Sequence, residues 1–167
     1  MVVLVSAAAC NMTGINDAPG TGTPKSLPRR RILALDMGEK RIGVAVSDET
    51  QLIARSYTVV ERTSRAADFA QLAEIVAREN VGSLLVGLPV EMDGAEGSLA
   101  LWVRDYGAAL AEHLGLPVTF WDESFTSKQA SASMRARGIR AREQKNWIDA
   151  VAAAFILQDY LDAQRRG

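Results

Sequence analysis

One histidine and one cysteine in 167 residues exclude most zinc sites and any disulfide framework within the chain. The one Cys–His pair available for nucleophilic catalysis would join Cys10, in what reads as a tail, to His113, and is set aside. Neither charge sign is in excess. Nineteen basic and 20 acidic residues give a net charge of −1, so no global field attracts nucleic acid and any anion site must be built by local clustering. No apolar run approaches the ~18 residues a membrane span needs, so a cytoplasmic protein without a membrane partner is expected. What remains is an ordinary composition, 48% apolar and 23% charged. The length is that of one domain, able to bury roughly two-thirds of its unfolded surface without a staple.

Residues 1–30 differ from the rest. Val2 to Val5 is apolar and Ala7-Ala8-Ala9-Cys10 superficially resembles a lipoprotein cleavage site, but no basic segment precedes it and the stretch is too short for a signal peptide. Asn11 to Pro28 is rich in Gly, Thr and Pro. This composition predicts a disordered N-terminal extension, followed by one domain over 31–163. Arg29-Arg30-Arg31 enters the first strand and reads as a solvated edge.

Ile32 to Asp36 reads as a buried strand, Gly38 to Arg41 as a hairpin turn, Ile42 to Val46 as a second strand and Ser56 to Val60 as a third. Apolar residues at helical spacing predict a helix over Ser64 to Asn80 and another from Leu99, ended by Gly115 and Pro117. Between these helices lie a strand at Ser83 to Val86 and a loop at Glu91 to Gly97; a fifth strand follows at Val118 to Trp121. Thr126 with Gln129 fits a capping box opening a helix toward Arg137. A basic loop, Gly138 to Lys145, then leads to a last helix over about Asn146 to Ala163. Hairpins imply antiparallel neighbours and βαβ units parallel ones, so an α/β fold with a mixed five-stranded sheet and helices on both faces is expected.

Ligands of such sheets sit at strand ends. Asp36 ends the first strand, Asp122 and Glu123 end the fifth, and Asp149 opens the last helix. Singly, each has a bland reading: a turn residue, a strand-end hydrogen-bonding group, and an N3 carboxylate worth about 0.3–1 kcal/mol to its helix. Together they can converge. The small residues Ala150-Val151-Ala152-Ala153-Ala154 let the last helix lie close to the sheet and bring Asp149 to the strand ends. Three carboxylates repel one another unless a cation is bound, and hard oxygen ligands without His or Cys favour Mg²⁺ or Mn²⁺. Two such ions about 4 Å apart can activate water and stabilise the leaving oxygen of a phosphodiester. Asp122 competes with Glu123 for the fifth-strand position, because adjacent strand residues face opposite ways. The longer reach of Glu123 favours it.

From Ser124 to Asn146, Lys128, Arg135, Arg137, Arg140, Arg142 and Lys145 oppose one acid, Glu143. That excess points to phosphate contact, with Lys40 and Arg41 of the hairpin beside Asp36 reaching the same backbone. Trp147 reads as partly buried packing at a helix start, stacking on a base being the rarer alternative. His113 reads as a helix-end residue.

Asp36-Met-Gly-Glu-Lys-Arg-Ile-Gly-Val-Ala-Val-Ser-Asp48 resembles the opening motif of the YqgF family, also called RuvX. Val86-Gly-Leu-Pro89 followed by Met92-Asp-Gly94 resembles its central loop; Asp122-Glu123 with Thr126, and Lys145 with Ile148-Asp-Ala150, resemble its later motifs. The resemblance spans about Arg31 to Leu161. It implies a ribonuclease H-like fold related to the RuvC resolvase, and a nuclease maturing the 5′ end of pre-16S rRNA in ribosome biogenesis. It implies Asp36, Glu123 and Asp149 as catalytic metal ligands. Ser124 departs from the family, which commonly has Arg there. Pre-rRNA is the expected partner, branched DNA the second, with the chain a monomer or homodimer.

The rival readings are a Holliday-junction-type DNA resolvase and a non-catalytic nucleic-acid-binding ribonuclease H-like module. The pattern Asp36-x-Gly-x-x-x-x-Gly43 also resembles the phosphate loop of actin-like ATPases, which need a second domain. It is no Walker loop, since Val44-Ala45 stands where Lys-Ser/Thr is required.

Overall fold

Alternation along the first strand divides the molecule into two layers. In β1 (Arg31–Met37), Leu33, Leu35 and Met37 join one buried cluster, while Ile32 and Ala34 join another on the opposite side. Asp36 has the parity of the second set. The computed structural model describes residues 29–89, 96–122 and 141–166, the side chains of 141–146 excepted. β1 pairs antiparallel with β2 (Arg41–Ser47), which pairs antiparallel with β3 (Ala54–Glu61). On its other side β1 runs parallel to β4 (Val81–Leu88), and β4 to β5 (Val118–Asp122). The order β3-β2-β1-β4-β5 is the mixed five-stranded sheet expected.

α1 (Arg65–Arg78) and α2 (Ser98–Leu114) cover the first face through Phe69, Leu72, Ile75, Val103, Tyr106 and Leu110. Ser64 caps α1, its side chain accepting from the Ala67 amide at 3.2 Å. Gly115, at φ 63°, ends α2 in the left-handed conformation that releases the chain into β5. The second face is covered by α3 (Ala141–Arg166), whose seam of Ala153, Ile156, Leu157 and Leu161 packs on Ile32, Ala34, Ala45 and Leu85. Helices therefore lie on both faces. Among the described residues no helix is long and apolar enough to cross a membrane.

Two sequence expectations are corrected. α3 begins at Ala141, five residues before Asn146, so Arg142 and Lys145 belong to a helix instead of a loop. Charge does not break helices: Ala-Arg-Glu-Gln-Lys is made of strong helix formers, with neither Gly nor Pro. In consequence Asp149 is the ninth residue of the helix, and the N3 interpretation of it fails. Leu99, expected on the buried face of α2, is 47% exposed at its first turn. The extension up to residue 28, the loop residues 91–95, and the capping-box helix of Thr126 and Gln129 lie outside the described residues.

Candidate active site

Asp36 and Asp149 are brought together by a missing side chain. Gly43 is the ladder partner of Asp36 across β1 and β2. A Cβ on Gly43 would stand 1.9 Å from the Asp149 carbonyl oxygen and 2.9 Å from the Ala150 nitrogen, so only glycine lets the α3 backbone rest on the sheet here. Ala150 and Ala153, fully buried, continue that close approach along the helix. The small-residue run after Asp149 does what its composition suggested; the receiving glycine opposite Asp36 was missed. The signal was available, because Gly43 and Ala45 are the small residues on the Asp36 face of the hairpin.

The pair is electrostatically strained. Burial first, and the neighbouring Asp149 charge second, push the Asp36 carboxyl from 3.8 up to about 6. Arg41 relieves part of this repulsion, its Nε lying 2.9 Å from Asp149 Oδ2. Arg41 was expected at the phosphate backbone; the structure pairs it with a carboxylate of the site. Lys40, at the hairpin turn, is exposed. Among the described residues no group of three His, Cys, Asp or Glu side chains stands ready to hold a metal ion. Glu123, Ser124, Lys128, Arg135, Arg137 and Arg140 lie outside those residues, as do the side chains of Arg142 and Lys145.

A second feature, this one without a sequence signal, fixes the hairpin. Arg62 binds all three carbonyls of the turn. Its amide donates to Lys40 O at 2.9 Å, and one guanidinium nitrogen donates to Gly38 O at 3.0 Å and Glu39 O at 2.8 Å. The guanidinium lies over the Trp102 ring, 4.4 Å from its centroid, and its buried Nε is 3.7 Å from Asp68, an ion pair without a hydrogen bond. Asp68, almost wholly buried, also accepts from the Tyr106 hydroxyl at 2.9 Å and the Thr63 amide at 3.1 Å. Burial, and then Asp68, push the Tyr106 phenol up, holding it as a donor. The turn following Asp36 is thus anchored to the α1–α2 layer.

Other marked residues are structural. Asp48 organises the bend after β2, its Oδ1 accepting from the Leu52 and Ile53 amides at 2.8 and 2.9 Å. Arg29 and Arg30 are exposed, as a solvated edge requires, whereas Arg31 is partly buried and pairs with Glu79 at 2.7 Å. His113 sits in the last turn of α2 against Phe69. Trp147, expected as partly buried packing, is half exposed.

The chain that folds into this sheet order matches a known family. Its model, described as Holliday junction resolvase, covers residues 30–163. The chain belongs to the RuvX family. Among RuvX relatives, an Anaeromyxobacter dehalogenans protein named "Putative pre-16S rRNA nuclease" is 46% identical over 132 residues, 79% of this chain and 96% of that one. A Myxococcus xanthus protein of the same name is 42% identical over 135 residues, 81% and 89% of the two chains. In three dimensions the chain is similar to Thermus thermophilus RuvC in complex with a Holliday junction substrate. The TM-score is 0.55 at 18% identity, over 83% of this chain and 97% of that one. Fowlpox virus resolvase in complex with Holliday junction DNA gives 0.53 at 11% identity, over 80% and 98%. At these identities the likeness is one of fold, the ribonuclease H-like fold.

Proposed function

We propose that this RuvX chain is a divalent-cation-dependent nuclease that hydrolyses phosphodiester bonds of pre-16S rRNA, acting in the cytoplasm during ribosome maturation. The observation that carries the reading is the Asp36–Asp149 pair. Two carboxylates from β1 and α3 are held close enough for one to raise the pKa of the other. Such an arrangement destabilises the fold unless a cation or its own protonation relieves it. The donor set is all oxygen, which suits Mg²⁺ or Mn²⁺. Asp36, Asp149 and Glu123 are the residues that would hold the ion. When bound, it supplies activation of water and charge stabilisation at the leaving oxygen.

Alternation supports Glu123 over Asp122. Val118 and Phe120 pack toward α1 and α2, whereas Trp121 packs toward α3, the face that carries Asp36. Asp122 shares the parity of Val118 and Phe120, so one further residue is needed to return to the carboxylate face. The chain's own residues do the remainder. Arg41 orients Asp149, Arg62 holds the turn that follows Asp36, and exposed Lys40 offers a cation to substrate phosphate. Lys128, Arg137, Arg140, Arg142 and Lys145 extend that contact along the nucleic acid.

The reading is tested by incubating the purified full chain with a ribosomal RNA precursor and with a four-way DNA junction, in Mg²⁺ or Mn²⁺. Cleavage of the precursor, lost on adding EDTA and in Asp36→Asn, is expected. Cleavage of the junction alone transfers the activity to DNA. Binding without cleavage of either substrate leaves a non-catalytic module and overturns the proposal.

A further inference from the structure

Beside the carboxylates, a groove of about 270 Å³ is lined by Arg41, Thr58, Val59, Glu61 and Trp147. Its floor is the end of the β2–β3 ladder, where Arg41 opposes Glu61 and Gly43 opposes Val59. Its wall is the α3 turn just before Asp149. Arg41 belongs to both places, because the side chain that lines the groove also reaches Asp149 at 2.9 Å. The groove is therefore continuous with the proposed catalytic centre, on which this inference rests.

Trp147 is 50% exposed and Ile148 beside it 41%. The other two tryptophans are engaged: Trp102 lies beneath Arg62, and Trp121 donates to Asp159 at 3.0 Å and packs edge-on to Tyr160. Trp147 has no ring, cation or hydrogen-bond partner among the described residues. Tryptophan is highly buried on average, so an indole left with this much ring in water forfeits burial that a Lys or Gln here would not seek. Its position follows from Gly43, which draws α3 onto β2 at Asp149 and leaves residue 147 over the edge strand β3.

We infer that this groove takes one unpaired nucleobase of the nucleic-acid substrate, stacked on Trp147, next to the phosphate cleaved at the carboxylates. Charge selects the base over the phosphate as occupant. Arg41 is already paired with Asp149, and Glu61 adds a negative charge that repels phosphate while accepting from base N–H groups. The volume suits a single ring system, falling below the range of about 300–1,000 Å³ typical of drug-sized ligands. A base can lie on an indole face only when it has left its helix, so the groove selects single-stranded or frayed substrate over continuous duplex.

The test is equilibrium binding of a fluorescein-labelled single-stranded oligoribonucleotide, and of the same strand annealed to its complement, with Ca²⁺ as the divalent ion. Trp147→Ala should weaken single-strand binding about 5- to 150-fold, with Trp147→Tyr restoring most of it. Duplex binding should change less than about twofold by the same logic. The salt dependence of binding should keep its slope, because stacking releases no counterions. Equal affinity of Trp147→Ala and the parent chain for the single strand overturns the inference. So does an equal loss for single strand and duplex, or a changed sedimentation mass with RNA affinity intact, which would make the face a contact with a second copy. If the parent chain binds neither nucleic acid, the nuclease reading falls as well. Cleavage and binding by the parent, matched by Trp147→Ala, remove only the base subsite.

Discussion

Replacing Asp36 with Asn should stabilise the metal-free protein at neutral pH while ending its chemistry. The folded Asp36 carboxyl titrates at about 6 against 3.8 ordinarily, because it is buried and faces Asp149. The folded state thus holds the proton more tightly than the unfolded state does. The stabilising contribution of the protonated group is complete below about pH 4 and is lost as pH rises through about 6. Two pH units at about 1.4 kcal/mol each make that loss about 3 kcal/mol. This is an upper bound, since the side chain is partly exposed and water screens it. Asn mimics the neutral acid at every pH and so escapes the loss. For a chain of this size the gain corresponds to at most about 6–12 °C in Tm. The assay is urea unfolding in EDTA from pH 4 to 7.5. The two proteins should agree near pH 4 and separate as pH rises, with the variant the more stable. Adding Mg²⁺ or Mn²⁺ should then raise the stability of the parent and leave Asp36→Asn unmoved, because only the parent binds the ion tightly. Parallel pH curves, or a variant less stable than its parent at pH 7.5, would refute the electrostatic argument.

Gly43→Ala places a methyl group on the α3 backbone, so it should cost about 3 kcal/mol in urea unfolding and abolish cleavage by moving Asp149 off Asp36. Arg62→Ala leaves Asp68 buried without its cation and should destabilise by about 3–5 kcal/mol. Arg62→Lys keeps the charge but loses the planar fork, so its Tm should recover in part while kcat stays low; a variant indistinguishable from the parent would dismiss the hairpin clamp. Replacing Arg137, Arg140 and Arg142 together with Ala should weaken nucleic-acid binding and flatten its salt dependence, measured as the slope of log affinity against log salt. We propose that the domain is complete from residue 31, so a chain beginning at Pro28 should unfold as cooperatively as the full one in calorimetry.

Much of the fold could be read from local pattern. The strand run Ile32 to Asp36, the hairpin turn at Gly38, the helical spacing of Phe69 and Leu72, and the Gly115 stop all reappear in the structure, because each depends on neighbours in sequence. Asp36 and Asp149 were legible as a pair through the small residues after Asp149, a packing signal that happens to be local, and through the resemblance to the RuvX motifs. The start of α3 is not legible in the sequence, because a run of charges carries no apolar periodicity. Arg62 offered no signal at all. Its three carbonyl partners lie 22 to 24 residues earlier and its aromatic partner 40 residues later.

The sequence by itself determined the described strands and helices, their order, the parallel and antiparallel choices, and which residues are candidates for the chemistry. These follow from side-chain period, turn residues and the handedness of βαβ connections, all properties of short segments. Tertiary structure alone decided the state of those residues. Asp36 is driven to about 6 by burial and by a carboxylate 113 positions away, Arg41 is paired with Asp149, and Trp147 is left half in water. Each outcome depends on how closely α3 approaches the sheet. That distance is set by the absence of one Cβ at Gly43, which becomes a constraint only when a helix from the far end of the chain comes to lie against it.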